Sequence, residues 1–326
     1  MAAGATALAL SGAVLTAALL AGAARPQKDA DTAPGHTEIP PVLKVLRRAD
    51  LTALELHSPH AVLLDLDSGE TLYQKAENEP AYPASLTKLM TAVVAVESLP
   101  DLSVETTLPE SLFRRLLDAG ASVAGFLPGE TVTVEDLLYA ALLPSGSDGA
   151  VGLAVAAAGS EVEFVERMNR KAVELGMDAT HFVNATGLHD KRQVTTASDM
   201  AILVEYAMKN QAVARAFTAR RHTVTPTNRH PGGLTLHSTL FRRLDAFSGM
   251  PEGVELLGGK TGYTDEAGLC LASTARVSGK RLLLVTLGAS GNNTGEPLHI
   301  EDALAVYSAC QMEAVPAGSA TQTNRE

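Results

Sequence analysis

The chain has 326 residues, 46% hydrophobic and 19% charged, so it can bury one large core or two subdomains that share a cleft. The formal net charge of −11 and the lack of any Lys/Arg-rich stretch argue against nucleic acid or an anionic lipid surface as the main partner. Aromatic residues make up only 4% and tryptophan is absent, which excludes an extended stacking platform for bases or sugars.

The first 24 residues form an uncharged run rich in Ala and Leu, followed by Arg25 and a polar stretch that contains proline. Such a run is typical of a signal peptide or an N-terminal membrane anchor, although no Lys or Arg precedes it. We expect residues 1–24 to have this role, residues 25–40 to form a linker, residues 41–312 to form the folded domain and residues 313–326 to be a polar tail. Contact with a membrane would then involve the N-terminal segment alone.

The first elements of the domain read as a hairpin and a helix. Strand-forming residues occupy His60–Asp67 and resume at Thr71–Lys75 after a Ser-Gly-Glu breaker. Pro83 then precedes apolar residues at helical spacing, which continue through Glu97. This pattern places Ser85 at the head of a helix.

The rest of the chain alternates between a helical block and strands. Between about residues 132 and 210 the patterns predict helices at Val134–Leu142, Ser145–Ala158, Val162–Leu175 and Ala197–Lys209. Later segments predict strands at Arg221–Pro226, Leu269–Val277 and Arg281–Ala289, and a final helix at His299–Gln311. Strands at both ends of the domain predict one sheet assembled from distant segments, with the helical block as a second lobe. The cleft between the lobes is the expected site.

Neither a disulfide scaffold nor a metal centre is indicated. Cys270 and Cys310 are too few for a scaffold and lack metal-ligand spacing, so we expect two separate core thiols, with a single bridge left open. His57 and His60 stand three residues apart, but no His-Glu-x-x-His helix occurs. We therefore expect no metal and no other cofactor.

Ser85 and Lys88 lie three residues apart on the predicted helix, so their side chains share one face. A serine hydroxyl becomes a good nucleophile when a base takes its proton, and lysine can be that base only if its pKa is lowered by burial or a nearby cation. An N-cap serine followed by a solvated lysine has the same spacing, so the pair by itself does not distinguish a catalytic site from a helix cap. The other motifs decide between these two interpretations.

Two further motifs follow. Ser145-Gly146-Ser147 lies at a helix–helix junction, where it is either a simple cap or a second hydroxyl that relays a proton. Lys260-Thr261-Gly262 is not a phosphate loop, because Val254 stands where that loop requires glycine. On a strand edge, the triplet suits pairing with an extended peptide whose carboxylate is received by the cation and the hydroxyl.

The motifs occur in the order S-x-x-K, S-x-S and K-T-G, which is found in penicillin-recognising serine enzymes. Their surroundings, among them LLDLDSGETLYQKAENEPAYPASLTKLMTA, VAGFLPGETVTVEDLLYAALLPSGSDGAV, ELGMDATHFVNATGLHD and GGKTGYTDEAGLCL, closely resemble the D-alanyl-D-alanine carboxypeptidase family of low-molecular-mass penicillin-binding proteins. The resemblance spans about residues 41–312. It implies an α+β fold of the β-lactamase/transpeptidase-like type, with a five-stranded antiparallel sheet flanked by helices and an all-helical lobe.

The resemblance also implies an activity, which is removal of the terminal D-alanine from peptidoglycan stem peptides outside the cytoplasm, with β-lactam antibiotics as acylating inhibitors. Carried over position by position, it makes Ser85 the nucleophile, Lys88 its base, Ser145 the proton relay, Lys260 and Thr261 the carboxylate receivers, and the backbone N–H groups of Ser85 and Tyr263 the oxyanion hole. Ser147 stands where the family usually has Asn. The Asn amide both donates and accepts hydrogen bonds, so it contacts the lysine and the substrate carbonyl at once, whereas the shorter Ser147 hydroxyl requires a water between them.

The same residues also suit a β-lactamase or a D,D-endopeptidase that cuts cross-links. These activities differ from a carboxypeptidase in the deacylation rate and in whether the cleft admits a second peptide strand. A non-catalytic cell-wall binding protein with this fold is a more distant alternative, and only Ser147 favours it.

Overall fold

The structure is a computed structural model that describes residues 42–43, 51, 53–245, 247, 250–311 and 314–315. The predicted export segment at residues 1–24, the linker at residues 25–40 and most of the predicted polar tail lie outside these residues. Among the described residues, no helix combines the length and the apolar character needed to cross a bilayer.

Five antiparallel strands form the main sheet, in the spatial order β3-β2-β10-β9-β8. The strands, in chain order, are β1 (Val42–Leu43), β2 (His60–Asp65), β3 (Thr71–Lys75), β4 (Glu105–Thr107), β5 (Thr131–Thr133), β6 (Arg221–Val224), β7 (Leu234–His237), β8 (Val254–Thr264), β9 (Gly268–Val277), β10 (Lys280–Ala289) and β11 (Ala314–Val315). The sheet confirms the predicted fold class. Within it β8 pairs only with β9, so β8 is an edge strand.

Alternating side chains of the sheet enter two separate cores. On β10, Leu283 and Val285 belong to the larger core, whereas Leu282 and Leu284 belong to the smaller one. Because successive side chains of a strand point to opposite faces, the sheet is buried on both sides. This explains why β9 and β10 read as nearly continuous apolar runs instead of strict alternations.

The larger core lies between the sheet and the helical lobe. The helices are α1 (Thr87–Ser98), α2 (Glu110–Asp118), α3 (Val134–Leu142), α4 (Ser147–Ala158), α5 (Glu161–Leu175), α6 (Ala197–Lys209), α7 (Gln211–Thr218), α8 (Thr239–Leu244) and α9 (Leu298–Ala309). Residues Thr87–Val96 of α1 are all buried, and α1 packs against α3, α4, α5, α6 and α7. The first turn of α1 is therefore held from several sides. Helix α9 covers the opposite face of the sheet.

The predicted elements with strong periodicity are confirmed within one or two residues. Most of those missed are short: α2, α7, α8 and β7, and the two-stranded sheets β4–β5 and β6–β7. Of the eleven-residue strand β8, only the triplet Lys260-Thr261-Gly262 was expected to lie on a strand. Strands β1 and β11 also pair, which places Ala314–Val315, from the segment expected to be a polar tail, in a strand. Cys270 and Cys310 are separate buried thiols, as predicted.

Asp302 of α9 forms hydrogen bonds with His57 and Ser58, the segment just before β2, beside the smaller core. Its carboxylate, 2% exposed, accepts hydrogen bonds from the backbone N–H of His57 at 2.8 Å and from both the N–H at 2.8 Å and the hydroxyl at 2.6 Å of Ser58. These bonds span more than 240 residues of chain. They join the two terminal parts of the domain around the sheet.

We expect Asp302→Asn to lower the free energy of unfolding by about 1–3 kcal/mol, because the amide cannot accept all three bonds and leaves buried donors unsatisfied. Urea denaturation measures the change, with the exposed Asp178 changed to Asn as the control. Equal stability of the two variants would contradict this role of Asp302.

Candidate active site

Ser85 lies in a one-turn 3-10 helix, Ala84–Leu86, that runs directly into α1. Pro83 is the N-cap of this turn. Ala84 has a φ of 43°, a left-handed conformation that only surrounding contacts can maintain in a residue with a side chain. The buried helix α1 thus fixes the position of the serine predicted to be the nucleophile.

Lys88 lies one turn further along and contacts Ser85. Its Nζ is 3.0 Å from Ser85 Oγ and donates a hydrogen bond to the Thr186 carbonyl oxygen at 2.6 Å. The side chain is only 1% exposed. Burial lowers the pKa of Lys88 to about 7, and the Asp148 carboxylate partly opposes this shift. At neutral pH a substantial fraction of Lys88 is unprotonated and can take the proton of Ser85.

The second motif contacts the third. Lys260, 1% exposed, donates hydrogen bonds through Nζ to Ser145 Oγ at 2.8 Å and to the Thr261 carbonyl oxygen at 2.7 Å. Burial lowers the pKa of Lys260 well below its usual range, and the nearby Lys88 cation adds to this effect. Ser145 has a φ of 63°, so this hydroxyl is presented by a strained junction. Ser147 begins α4 and is 2% exposed.

Gly262 allows the edge strand to approach the serine turn. A Cβ atom at this position would lie 3.1 Å from Ser85 N and 3.2 Å from Ala84 Cβ, tighter than ordinary contacts. With glycine there, β8 lies directly beside Ser85, and Tyr263 follows as the next residue of the strand. The strand segment that contains Gly262 and Tyr263 therefore lies beside the Ser85 turn.

These residues line one open cleft of about 1060 Å³. All the predicted site residues lie in its wall or directly behind it: Ser85, Lys88, Ser145, Ser147, Thr261 and Tyr263 line it, and Lys260 is buried beneath it. Helix α8 contributes Thr239, whose Oγ1 is 2.7 Å from Thr261 Oγ1. Three motifs separated by more than 50 residues each thus form one site.

Thr186 and Gly187 are site residues that the sequence analysis missed. The Thr186 carbonyl oxygen accepts the hydrogen bond from Lys88, and Asn184 Oδ1 accepts the N–H groups of Thr186 at 3.1 Å and Gly187 at 2.7 Å in a tight turn. Gly187 has a φ of +84°, and its Cβ would lie 1.9 Å from the Ala84 carbonyl oxygen. The Asn-x-Thr-Gly text does indicate a turn, but only the fold brings that turn to the serine.

The model of a D-alanyl-D-alanine carboxypeptidase family matches residues 47–291. Among curated proteins, D-alanyl-D-alanine carboxypeptidase DacF of Bacillus subtilis is 35% identical over 230 residues, which are 71% of this chain and 57% of that protein. The chain thus spans little more than half the length of that relative. A D-alanyl-D-alanine endopeptidase of Pseudomonas aeruginosa is 30% identical over 276 residues, 81% of this chain and 82% of that protein.

The fold also matches solved structures. The crystal structure of the Streptomyces K15 DD-transpeptidase superposes with a TM-score of 0.69 at 27% sequence identity, covering 79% of this chain and 98% of the other. The likeness extends over almost the whole of that enzyme.

We expect Gly187→Ala to slow covalent labelling of Ser85 by a fluorescent penicillin, because the new Cβ must push the Ala84–Leu86 turn away. It should also lower the free energy of unfolding by about 1–3 kcal/mol. The matched control is Gly176→Ala, since Gly176 has a φ of +75° but open space around it. If both variants label as fast as the wild type, the close approach at Gly187 does not position Ser85.

Proposed function

The chain belongs to the D-alanyl-D-alanine carboxypeptidase family, and on this basis we propose that it is a serine peptidase that removes the terminal D-alanine from peptidoglycan stem peptides. The observation that carries the proposal is the buried Lys88 amine, 3.0 Å from the Ser85 hydroxyl in an open cleft. A serine with an adjacent base of lowered pKa is equipped for acyl transfer.

In the proposed first step the D-Ala-D-Ala end lies extended along the edge strand β8. Its carboxylate is near Thr261 and Lys260. Neutral Lys88 takes the Ser85 proton as Oγ attacks the penultimate carbonyl carbon. The oxygen that becomes negative accepts hydrogen bonds from the N–H groups of Ser85 and Tyr263.

In the second step the bond to the terminal D-alanine breaks, and Ser145 passes a proton to the leaving amine. Water then attacks the acyl-enzyme and releases the shortened peptide. Ser147 orients the substrate, through a water that spans the gap left by the shorter side chain. No step uses a metal or a cofactor.

The part of the cleft beside Thr261 suits a substrate with a free carboxylate. Arg242 and Arg243 line this part, close to Thr239, and in the described part of the chain neither arginine forms an ion pair with a carboxylate. The acidic lining residues, Asp265 and Glu266, follow the end of β8. Positive groups at this place in a chain of net charge −11 attract a peptide carboxylate locally. This distribution supports a carboxypeptidase.

Cutting of cross-linked peptides is a second candidate. The Pseudomonas aeruginosa relative, which this chain matches over 82% of its length, bears the name D-alanyl-D-alanine endopeptidase. The two activities are distinguished by the product that is released: a cross-linked peptide dimer would be split by an endopeptidase, whereas a linear pentapeptide end loses D-alanine to a carboxypeptidase.

We place this activity outside the cytoplasm, where stem peptides are found, with residues 1–24 as the export signal or membrane anchor. β-Lactam antibiotics are the expected acylating inhibitors of Ser85. Family membership supports both the location and the inhibitors, and the composition of the N-terminal segment supports export.

We expect the protein without residues 1–24 to release D-alanine from diacetyl-Lys-D-Ala-D-Ala, and Ser85→Ala to lower this release by at least about 1000-fold, as loss of a nucleophile does. The control is Ser103→Ala, an exposed serine outside the cleft. Release of D-alanine by Ser85→Ala at the wild-type rate would exclude Ser85 as the nucleophile. If the folded wild type releases no D-alanine, the carboxypeptidase proposal is wrong and cleavage of cross-linked peptides becomes the favoured activity.

We expect kcat/KM for D-alanine release to rise with pH and to reach half its plateau near pH 7, because Lys88 acts only without its proton and burial sets its pKa at about 7. Below that pH the rate should fall about tenfold per pH unit. Lys88→Arg should be inactive throughout, since its guanidinium keeps the proton. A rate that is independent of pH from about 5 to 8 would contradict Lys88 as the base.

A further inference from the structure

The segment Ser122–Phe126, between α2 and β5, lies directly on the second motif. Ser122 Oγ donates a hydrogen bond to the Ser145 carbonyl oxygen, and Ser147 N–H donates one to the Ser122 carbonyl oxygen, both at 2.8 Å. A Cβ at Gly146 would lie only 2.7 Å from Ala124 Cβ, so the two backbones are in close contact. The segment therefore holds the strained residue Ser145 from both sides.

Asp148, the residue after this motif, anchors the same segment. Its carboxylate is 0% exposed and accepts four backbone N–H groups: those of Ala124 at 2.8 Å, Gly125 at 3.1 Å, Phe126 at 3.2 Å and Gly149 at 2.9 Å. Four donors occupy the acceptor sites of an ionised carboxylate almost fully. Burial raises the pKa of Asp148, while these four bonds favour its charged form and oppose that shift.

Asp148 is also the carboxylate that acts on Lys88. The hydrogen-bond partners of Lys88 and Lys260 are hydroxyl and carbonyl oxygens, and within the described ranges neither lysine forms an ion pair. Asp148, from α4, attracts the Lys88 ammonium group, and Lys88 in turn repels the ammonium group of Lys260 on β8. The segment that carries Thr186 presents only a backbone carbonyl to Lys88.

We propose that Asp148 is a positioning residue with two roles: it holds Ser122–Phe126 against Ser145 and Ser147, and it supplies a buried negative charge that acts on Lys88. This inference rests on the proposed acyl-enzyme chemistry at Ser85. It assigns a part in proton transfer to a residue that touches neither the substrate nor Ser85.

The test is the pH dependence of Asp148→Asn, which keeps the shape of the side chain and removes its charge. The acid limb of the profile reports protonation of Lys88. Since the anion raises the pKa of Lys88, its removal lowers that pKa, and the acid limb moves to lower pH. The plateau should also fall about tenfold to 100-fold, because Ser145 is held less firmly.

The matched control is Asp302→Asn, which also removes the charge of a buried carboxylate that accepts backbone N–H groups, but outside the cleft. It should lose stability and keep the wild-type acid limb. A second variant, Asp148→Glu, retains the charge and displaces the segment, so its plateau should fall while its acid limb stays in place. If Asp148→Asn does not fold, the plateau of Asp148→Glu still tests the positioning role.

Both kcat/KM for D-alanine release and the rate of acylation by a fluorescent penicillin are measured on the full chain. Acylation without D-alanine release would contradict the carboxypeptidase proposal, and the acylation profile would still test Asp148. An acid limb that does not move in Asp148→Asn, or one that moves in Asp148→Glu or Asp302→Asn, would overturn the electrostatic role. An unchanged plateau in both Asp148 variants would overturn the positioning role.

Discussion

Burial of the Lys88 and Lys260 amino groups is the constraint on which the rest of the cleft depends. Taking an ammonium group out of water costs several kcal/mol, and a contacting carboxylate is the usual compensation. In the described part of the chain neither lysine has such a contact, and each instead makes two hydrogen bonds to neutral oxygens. Each lysine can lower this cost only by losing its proton. A neutral Lys88 amine is also what the proposed base beside Ser85 requires.

The backbone around the site is strained, and packing against buried elements maintains it. Ala84 and Ser145 both have positive φ, and Gly187 and Gly262 leave no room for a Cβ atom next to the serine turn. Such conformations persist only where the surrounding packing determines them. Helix α1, buried along almost its whole length, and the paired strand β8 provide that packing. Rigidity around the cleft and the position of the reacting groups therefore have one origin.

The sequence predicted the regular parts of the fold well. The β2–β3 hairpin, helices α1, α3 and α6 and strands β9 and β10 follow from periodicity, because long apolar patterns report burial of a face directly. The short elements α7 and α8 were missed because six to eight residues contain too few turns to establish a period. Strand β7 was missed for the same reason, and it forms because β6 pairs with it.

For the site, the sequence by itself predicted the residues to which the proposed chemistry is assigned. Ser85 and Lys88 meet because a spacing of three places two side chains on one face of a helix, and this is a local property. The tertiary structure decided everything that depends on distant segments. Thr186, 98 residues away, binds Lys88, and Lys260 reaches Ser145 across 115 residues. The lowered pKa of Lys88 arises from exclusion of water, and the proposed role of Asp148 arises from its hydrogen bonds to Ala124, Gly125 and Phe126; both depend on packing between segments far apart in the chain.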